Sequence, residues 1–158
     1  MNFDTAFGKL LGHEGDFSDH PDDPGGKTRY GVTEAVAREV GYRGDMRELP
    51  LDLAKRIYRA KYWDEVQADV LPAGIRYVMF DAAVNSGPRQ AVRWLQRAVG
   101  VADDGILGPR TMAAAGALSA DSLRMRLLAQ RLRFMAGLSN WPAFSRGWAR
   151  RIADLMET

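Results

Sequence analysis

Residues 14–33 read EGDFSDHPDDPGGKTRYGVT and interrupt a sequence whose other segments have helical periodicity. The stretch concentrates prolines, glycines and aspartates, the residue types that favour turns. Tyr30 and Val32 predict a short β-hairpin at its end. Thr33 is typical of an N-cap and predicts a helix that runs to about Val40. We therefore expect a glycine-rich loop and hairpin between two helices.

Helical periodicity dominates the rest of the chain. Before the loop, apolar residues recur at helical spacing and predict an amphipathic helix over residues 3–13. After the loop, prolines in first-turn positions and glycines at the ends mark further helices. These helices are predicted near Pro50, near Pro72, from Pro88 to about Val99, over 109–118, and over about 121–138 and 142–156. The predicted fold class is mainly α, with one glycine-rich β-hairpin after the first helix.

The composition excludes several classes of protein. The chain has 158 residues, of which 46% are hydrophobic and 27% charged, so disorder is excluded as its main state. It contains no apolar run long enough to span a membrane, and its first residues lack the pattern of a secretory signal. Cysteine is absent, which excludes thiol catalysis, disulfides and cysteine-bound zinc. With only His13 and His20, a three-histidine metal site is also excluded.

Charge is distributed unevenly along the chain. Residues 1–30 carry a net charge of −3, whereas residues 111–158 carry +4, mostly from arginine. This asymmetry favours chemistry at the acidic end and contact with a polyanion at the basic end. A solvated helix surface explains the basic tail equally well.

Glu14 is the first candidate catalytic residue. It follows the predicted first helix, where partial burial at the edge of a cleft would raise the pKa of its carboxyl. A carboxylic acid that stays protonated near neutral pH is what glycosidic cleavage requires. A hairpin folded onto the helix would bring an aspartate and a threonine hydroxyl near it, a hydrolytic arrangement. The simpler interpretation is an exposed glutamate at a helix end, and the aspartate spacing does not fit an EF-hand calcium loop.

Two segments resemble the glycoside hydrolase 108 family of lysozyme-like N-acetylmuramidases, which includes phage endolysins and secretion-associated muramidases. The first comprises Glu14–Phe17 and Asp22–Thr33. The second comprises 91–101 and 104–111, and it resembles the family's predicted peptidoglycan-binding C-terminal region. The resemblance implies a lysozyme-like, two-lobed helical fold, with a catalytic lobe over residues 1–86 and a helical peptidoglycan-binding-type lobe over 87–158.

The resemblance also implies roles for particular residues. The family's catalytic glutamate corresponds to Glu14. Asp23 and Thr28 belong to the Asp-x-Gly-Gly-x-Thr element, where they would stabilise developing positive charge or place the attacking water. Tyr30 and Thr33 lie beside that element and are expected to bind substrate. Two features stay open here: Asp16 replaces a glycine that is usual in the family, and Asp22 is an alternative to Asp23 as the second carboxylate.

Asn85 and the aromatic residues are further candidates for sugar contact. Asn85 follows an apolar helix face and precedes a Gly-Pro break, so it is either a substrate-binding amide or an ordinary helix-end residue. Tyr62 and Trp63 fit either stacking on sugar rings or packing in the core. Trp94, Trp141 and Trp148 are predicted to pack among apolar neighbours.

The sequence thus predicts a peptidoglycan hydrolase that cleaves the β-1,4 bond between N-acetylmuramic acid and N-acetylglucosamine by general acid catalysis. No metal or organic cofactor is expected, because side chains can make both proton transfers. A non-catalytic wall-binding module and a zinc-dependent amidase or peptidase using His13 and His20 are the alternatives. Nucleic-acid binding is not expected, because no base-reading motif is present.

The expected setting combines the release route that the resemblance implies with the opening residues and the basic tail of the sequence. The enzyme would be a monomer made in the cytoplasm without a signal peptide, and it would act in the periplasm or cell wall after release through a holin or a secretion system. Its basic C-terminal helices would also bind anionic outer-envelope polymers such as lipopolysaccharide. Both phage lysis and secretion fit the sequence, as do retention and inversion of the anomeric configuration.

Overall fold

Helix α1, Phe3–Leu11, opens the chain. The computed structural model describes residues 1–12, 17–18 and 26–158. Asn2 is the N-cap, and its side chain accepts a hydrogen bond from the Thr5 amide at 3.0 Å. Phe3 and Phe7 are buried with their rings stacked 5.8 Å apart. The predicted amphipathic helix is therefore confirmed from Phe3 to Leu11.

The described residues divide into two compact units, Asn2–Lys61 and Tyr62–Thr158, with Met1 assigned to the second. We describe each unit by itself. The predicted division into a catalytic lobe over residues 1–86 and a C-terminal lobe over 87–158 stays a prediction.

The first unit contains α1, a β-hairpin and two further α-helices. Strands β1, Thr28–Arg29, and β2, Val32–Thr33, pair antiparallel and form the predicted hairpin. Helix α2, Glu34–Glu39, follows β2 directly. A 3₁₀ turn, Met46–Glu48, then leads to α3, Leu51–Tyr58, which begins after Pro50 as N-cap.

Aromatic and aliphatic side chains form the core of the first unit. Phe7 from α1 meets Tyr58 from α3 edge to face at 5.3 Å. Val32, Met46 and Leu49 are each almost fully buried in the same unit. Because α1, the hairpin and α3 each bury side chains in this unit, the first helix and the hairpin have a common structural support.

Within the residues that the structure describes, the second unit contains helices joined by turns and loops and has no strand. The π-helical segment Arg59–Trp63 crosses into it from the first unit, and two 3₁₀ turns follow, Ala68–Val70 and Ala73–Ile75. Its α-helices are α4 (Arg76–Ser86), α5 (Pro88–Val99), α6 (Pro109–Gly116), α7 (Ala120–Ala136) and α8 (Trp141–Met156). The sequence predicted these α-helices to within a few residues, but it did not predict the π-helical or 3₁₀ turns. Pro72 precedes a 3₁₀ turn rather than lying in the first turn of α4.

Helix α4 lies at the centre of the second unit. Its residues Val78–Ala83 are all buried, and Phe80 meets Trp63 edge to face at 5.5 Å. Trp94 on α5 is fully buried as well. Trp63 and Trp94 therefore pack in the core. The sequence predicted this for Trp94 and left it open for Trp63.

Candidate active site

The hairpin carries three of the predicted site residues, and its turn is set by backbone conformation. Tyr30 and Gly31 are the two residues between the strands, with φ of +51° and +71°. Two central residues with positive φ define the type I′ turn, which matches the twist of two-residue hairpins. The turn fixes a register in which Thr28 is opposite Thr33 and Arg29 is opposite Val32.

Thr28 is held from both sides. Its amide donates to the Ser18 carbonyl at 2.8 Å, and the Ser18 amide donates to the Thr28 carbonyl at 2.9 Å. An isolated antiparallel bridge therefore joins Ser18 to Thr28, while Thr33 is the partner of Thr28 within the hairpin. The chain segments on either side of residues 19–25 meet at Thr28.

Thr33 caps a helix in addition to its predicted role in substrate binding. Its Oγ1 accepts a hydrogen bond from the Val36 amide at 3.3 Å, so Thr33 caps α2 as predicted. Directly opposite residues of an antiparallel pair face the same side, so Thr28 and Thr33 lie on one face of the hairpin. The hydroxyl proton of Thr33 is still available to a ligand, because capping uses only an acceptor position.

Tyr30 lies at the tip of the hairpin and is half-buried. The Arg29 guanidinium lies over its ring at 5.1 Å, and Arg29 Nη2 donates to the Tyr30 hydroxyl at 3.4 Å. Gly31, next along, lies so close to the Tyr58 hydroxyl that a Cβ atom would overlap with it. The turn therefore approaches Tyr58 of α3 so closely that only glycine fits at residue 31.

The two predicted carboxylates lie outside the described residues. This applies to Glu14 and Asp23, and also to Asp16 and Asp22. Their predicted roles stay predictions, whereas Thr28, Tyr30 and Thr33 are brought together by the hairpin.

Asn85 is the predicted binding residue of the second unit. It is exposed on the last turn of α4, and its Nδ2 donates to the main-chain oxygen of Asp81 at 2.7 Å. Helix α4 ends at Ser86, where Gly87 follows with a φ of +85°. The Asn85 amide therefore lies at a helix end, which was one of the two alternatives from the sequence. It is also exposed to solvent.

A buried ion cluster lies beneath Asn85 and was missed by the sequence analysis. Asp81 is only 2% exposed and accepts a hydrogen bond from Arg131 Nη1 at 2.8 Å. Its Oδ1 also accepts from Arg151 Nη2 at 2.6 Å and from Arg151 Nε at 3.0 Å. Asp81 thus joins α4 to α7 and α8. A charged residue inside the apolar run of α4, and an arginine at helical spacing among buried leucines of α7, were the available signals.

Arg131 is itself fully buried and incompletely bonded. Its guanidinium lies 5.7 Å from the centre of the Trp94 ring. Within the described part of the chain, its Nε has no hydrogen-bond partner. Burial lowers the pKa of the Arg131 guanidinium, and the adjacent Asp81 carboxylate opposes that shift. A buried donor without a partner costs about 1–3 kcal/mol, so this group favours a further acceptor.

A groove of about 420 Å³ opens beside this cluster. Its lining includes Asn85, Ser86, Gln90, Arg131, Trp148 and Arg151. Trp148 is half-exposed there and stacks on Phe144 with the ring centres 5.7 Å apart. The apolar neighbour predicted for this tryptophan is therefore another residue of α8. The predicted residue Asn85 therefore belongs to a groove with two arginines.

A buried glutamine organises the Asp103–Gly108 turn, which overlaps the segment 104–111 that resembles the family's peptidoglycan-binding region. Gln96 Nε2 donates to Asp104 Oδ1 at 2.7 Å, and Gln96 Oε1 accepts from the Gly105 amide at 2.8 Å. Hydrogen bonds from the Ile106 amide and then from Gln96 hold the pKa of Asp104 below its ordinary value. These hydrogen bonds give the turn between α5 and α6 a fixed conformation.

No group of three or more histidine, cysteine or acidic side chains in the described ranges could hold a metal ion. Across the same ranges, no helix has the length and apolar character to cross a membrane.

A family model described as Glycosyl hydrolase 108 matches residues 7–87, just over half of the chain. The chain belongs to the glycosyl hydrolase 108 family. A second model, described as Predicted Peptidoglycan domain, matches residues 90–153 and covers α5 to most of α8. The two matches occur in the order that the sequence motifs predicted.

A solved structure gives independent support. The protein of the "Structure of Brucella abortus SagA" is 36% identical, with a TM-score of 0.86 over 98% of this chain and 91% of that one. No curated protein sequence matched the chain. The glycosyl hydrolase 108 family consists of lysozyme-like muramidases, so this chain is a peptidoglycan hydrolase with a lysozyme-like fold. The predicted family, fold class and enzyme class are confirmed, and peptidoglycan is confirmed as the polymer.

Proposed function

We propose that Glu14 is the general acid of this glycosyl hydrolase 108 enzyme. It would protonate the oxygen of the β-1,4 bond between N-acetylmuramic acid and N-acetylglucosamine as that bond breaks. The observation that carries the proposal is the bridge between Ser18 and Thr28, since it joins the two ends of the aspartate-rich segment next to the hairpin. Glu14 lies four residues before this bridge in the sequence.

Asp23 is proposed as the second carboxylate, with Thr28 beside it. A carboxylate opposite the acid stabilises positive charge on the sugar ring or directs water to the anomeric carbon. The Thr28 hydroxyl can orient that water, because a hydroxyl both donates and accepts. This role for Thr28 is supported by its fixed position, since backbone hydrogen bonds join it to Ser18 and it pairs with Thr33.

Tyr30, Thr33 and Asn85 are proposed to bind the glycan. Tyr30 and Thr33 are in the same hairpin as Thr28, and Asn85 offers an exposed amide that suits an N-acetyl group. Each provides a polar group on backbone that the hairpin or α4 holds in place, which is how binding residues achieve specificity.

The test compares Glu14→Gln with wild type on purified cell walls. We expect the variant to fold normally and to release no new reducing ends. Asp22→Asn and Asp23→Asn test the second carboxylate, and we expect Asp23→Asn to lose far more activity. A folded Glu14→Gln enzyme with wild-type release of reducing ends would overturn the proposal.

The exposed arginines of α7 and α8 are proposed to bind anionic envelope polymers. Arg126 and Arg133 on α7 and Arg146 and Arg150 on α8 are exposed. Arg151 is unsuitable for testing this, because it holds Asp81. We expect the double variant Arg146→Glu/Arg150→Glu to lose binding to lipopolysaccharide and to keep hydrolysis of purified walls. Unchanged lipopolysaccharide binding would contradict the proposal.

Because peptidoglycan lies outside the cytoplasmic membrane, we also propose that the enzyme acts as a monomer in the periplasm or cell wall. Release through a holin, as in phage lysis, or through a secretion system would give it a bacteriolytic and antimicrobial role. Size-exclusion chromatography with light scattering tests the monomer, and lysis on co-expression with a holin tests the release route.

A further inference from the structure

We propose that the groove beside Asn85 holds one 2-acetamido sugar of the glycan strand, with Gln90 bonding to the acetamido group and Phe134 and Trp148 packing against the ring. The inference rests on the proposed role of Asn85 in glycan binding and extends it to residues of α5, α7 and α8. All of these residues belong to the second unit. The groove is thus a glycan subsite that this unit builds from its own side chains.

One wall of the groove is polar and has unused hydrogen-bonding groups. It comprises Asn85 and Ser86 at the end of α4 and Gln90 in the first turn of α5. Asn85 Nδ2 gives one of its two protons to the main-chain oxygen of Asp81, whereas its Oδ1 accepts no hydrogen bond from the described residues. The side chains of Ser86 and Gln90 make no hydrogen bond to the described part of the chain either. Three side chains on this wall can therefore bond to a ligand.

The chemistry of an acetamido group matches this wall. Such a group needs an acceptor for its N–H and a donor for its carbonyl oxygen. Because Asn85 Nδ2 bonds to Asp81, the Asn85 Oδ1 is the acceptor, and Gln90 Nε2 supplies the donor. The Ser86 hydroxyl can pair with a hydroxyl of the sugar ring.

The other wall is aromatic, with Phe134 on α7 and Trp148 on α8. Phe134 is 39% exposed, although it meets the buried Trp94 edge to face at 5.3 Å. Trp148 is half-exposed and stacks on Phe144. Each groove-lining ring is therefore held by a neighbouring ring and still presents apolar surface.

The groove is preformed, because the helices that line it are tied together. Asp81 on α4 forms ion pairs with Arg131 on α7 and with Arg151 on α8. Both arginines contribute to the lining. A site held in this way needs little ordering when a ligand binds.

A sugar ring suits a groove with one polar and one aromatic wall. Its faces carry C–H groups, whereas its rim carries hydroxyl and acetamido groups. Ligand sites are typically clefts of about 300–1,000 Å³ that combine apolar lining with a few polar groups, and this groove has about 420 Å³. Gln90, Phe134 and Trp148 also lie in the segment that the Predicted Peptidoglycan domain model matches. The polymer that the enzyme cleaves therefore supplies the ligand.

The experiment titrates the full chain with N,N′-diacetylchitobiose and compares it with cellobiose, which has hydroxyls in place of the two acetamido groups. Neither disaccharide contains N-acetylmuramic acid, so neither contains the bond that the enzyme cleaves. With N,N′-diacetylchitobiose, the side-chain amide signals of Gln90 and the indole N–H signal of Trp148 should shift in NMR spectra. The affinity for cellobiose should be at least about fivefold lower, because the hydrogen bonds of the acetamido group are lost.

Gln90→Ala and Gln130→Ala form a matched pair of variants. Both glutamines are half-buried on helices, but Gln130 lines a different pocket. Gln90→Ala should weaken binding of N,N′-diacetylchitobiose about fivefold, whereas Gln130→Ala should bind like wild type. Trp148→Ala should weaken binding about tenfold, and Trp148→Phe should recover most of that loss because it keeps an aromatic ring.

Equal affinity for the two disaccharides, equal binding by Gln90→Ala and Gln130→Ala, or unshifted Gln90 and Trp148 signals at saturation would each overturn the inference. Cell-wall hydrolysis is measured in parallel. Hydrolysis that depends on Glu14 without acetamido-selective binding would refute the inference alone. Selective binding with hydrolysis independent of Glu14 would refute the proposed catalytic function alone.

Discussion

Asn85 donates a hydrogen bond from Nδ2 to the main-chain oxygen of Asp81 at 2.7 Å, one helical turn earlier in α4. The side chain of the same Asp81 is buried between two arginines of α7 and α8. The exposed amide that we assign to substrate binding is thus fixed on a residue that ties three helices together. This arrangement gives Asn85 a defined orientation at the rim of the groove.

Removing the Asn85 amide should affect binding more than stability. We expect Asn85→Ala to change the free energy of unfolding by less than about 1 kcal/mol, because the lost hydrogen bond is partly exposed. The KM for soluble peptidoglycan should rise several-fold with little change in kcat, the pattern expected for loss of ground-state binding. Asn140→Ala is the control, since Asn140 makes no side-chain capping bond. Equal KM values for the two variants would contradict the role of Asn85.

Removing the Asp81 charge should destabilise the second unit strongly. Asp81→Asn leaves Arg131 buried without its counter-ion, and breaking a buried pair in this way costs about 3–5 kcal/mol. Asp121→Asn is the control, because the Asp121 side chain is 83% exposed in its pair with Arg124. That variant should lose less than about 1 kcal/mol in the same denaturant titration. Similar losses of unfolding free energy for the two variants would show that the Asp81 cluster stabilises the fold no more than an exposed ion pair does.

The hairpin turn should not tolerate a side chain at residue 31. Gly31 has a φ of +71°, and an added Cβ would overlap with the Tyr58 hydroxyl. We expect Gly31→Ala to lower the free energy of unfolding by about 2–4 kcal/mol, because the left-handed backbone and the overlap both destabilise the fold. Gly41→Ala, with a φ of +90° and open space around it, should cost only the backbone part. Adding Tyr58→Phe removes the hydroxyl, so it should recover part of the stability that Gly31→Ala loses. No recovery would show that the overlap with Tyr58 does not cause the loss.

The Asp103–Gly108 turn should contribute a pH-dependent part of stability. Hydrogen bonds from the Ile106 amide and Gln96 lower the pKa of Asp104 in the folded state. A carboxyl with a lowered folded pKa stabilises the protein above its unfolded pKa and loses that contribution as pH falls through the folded pKa. We therefore expect Asp104→Asn to lower Tm at pH 7, and the difference from wild type to shrink toward pH 3. A Tm difference independent of pH would contradict this assignment.

Local features of the fold were predictable because they depend on neighbouring residues. Thr33 as an N-cap, Pro88 at the start of α5 and Gly100 at its end each follow from the preferences of one residue for one backbone conformation. The π-helical segment Arg59–Trp63 was not predictable in this way, because no local signal distinguishes it from an ordinary helix.

The Asp81 cluster escaped prediction for a different reason. Arg131 and Arg151 are 50 and 70 residues away from Asp81 in the sequence, so their pairing depends on how α4, α7 and α8 pack. The sequence placed Arg151 among the surface charges of a basic tail, whereas the structure uses it to bind Asp81. For the candidate site, the motif predicted Thr28, Tyr30 and Thr33 as neighbours, and the hairpin confirms that they lie together. The roles of Glu14 and Asp23 remain predictions.

Mass spectrometry of cell-wall digests made in heavy-oxygen water tests the central claim most directly. Hydrolysis by a muramidase incorporates one oxygen from water at the new reducing end. We predict that wild-type enzyme labels N-acetylmuramic acid and that the folded Glu14→Gln variant yields no labelled sugar. Label on N-acetylglucosamine, or label on N-acetylmuramic acid at the wild-type rate in the Glu14→Gln variant, would contradict the account.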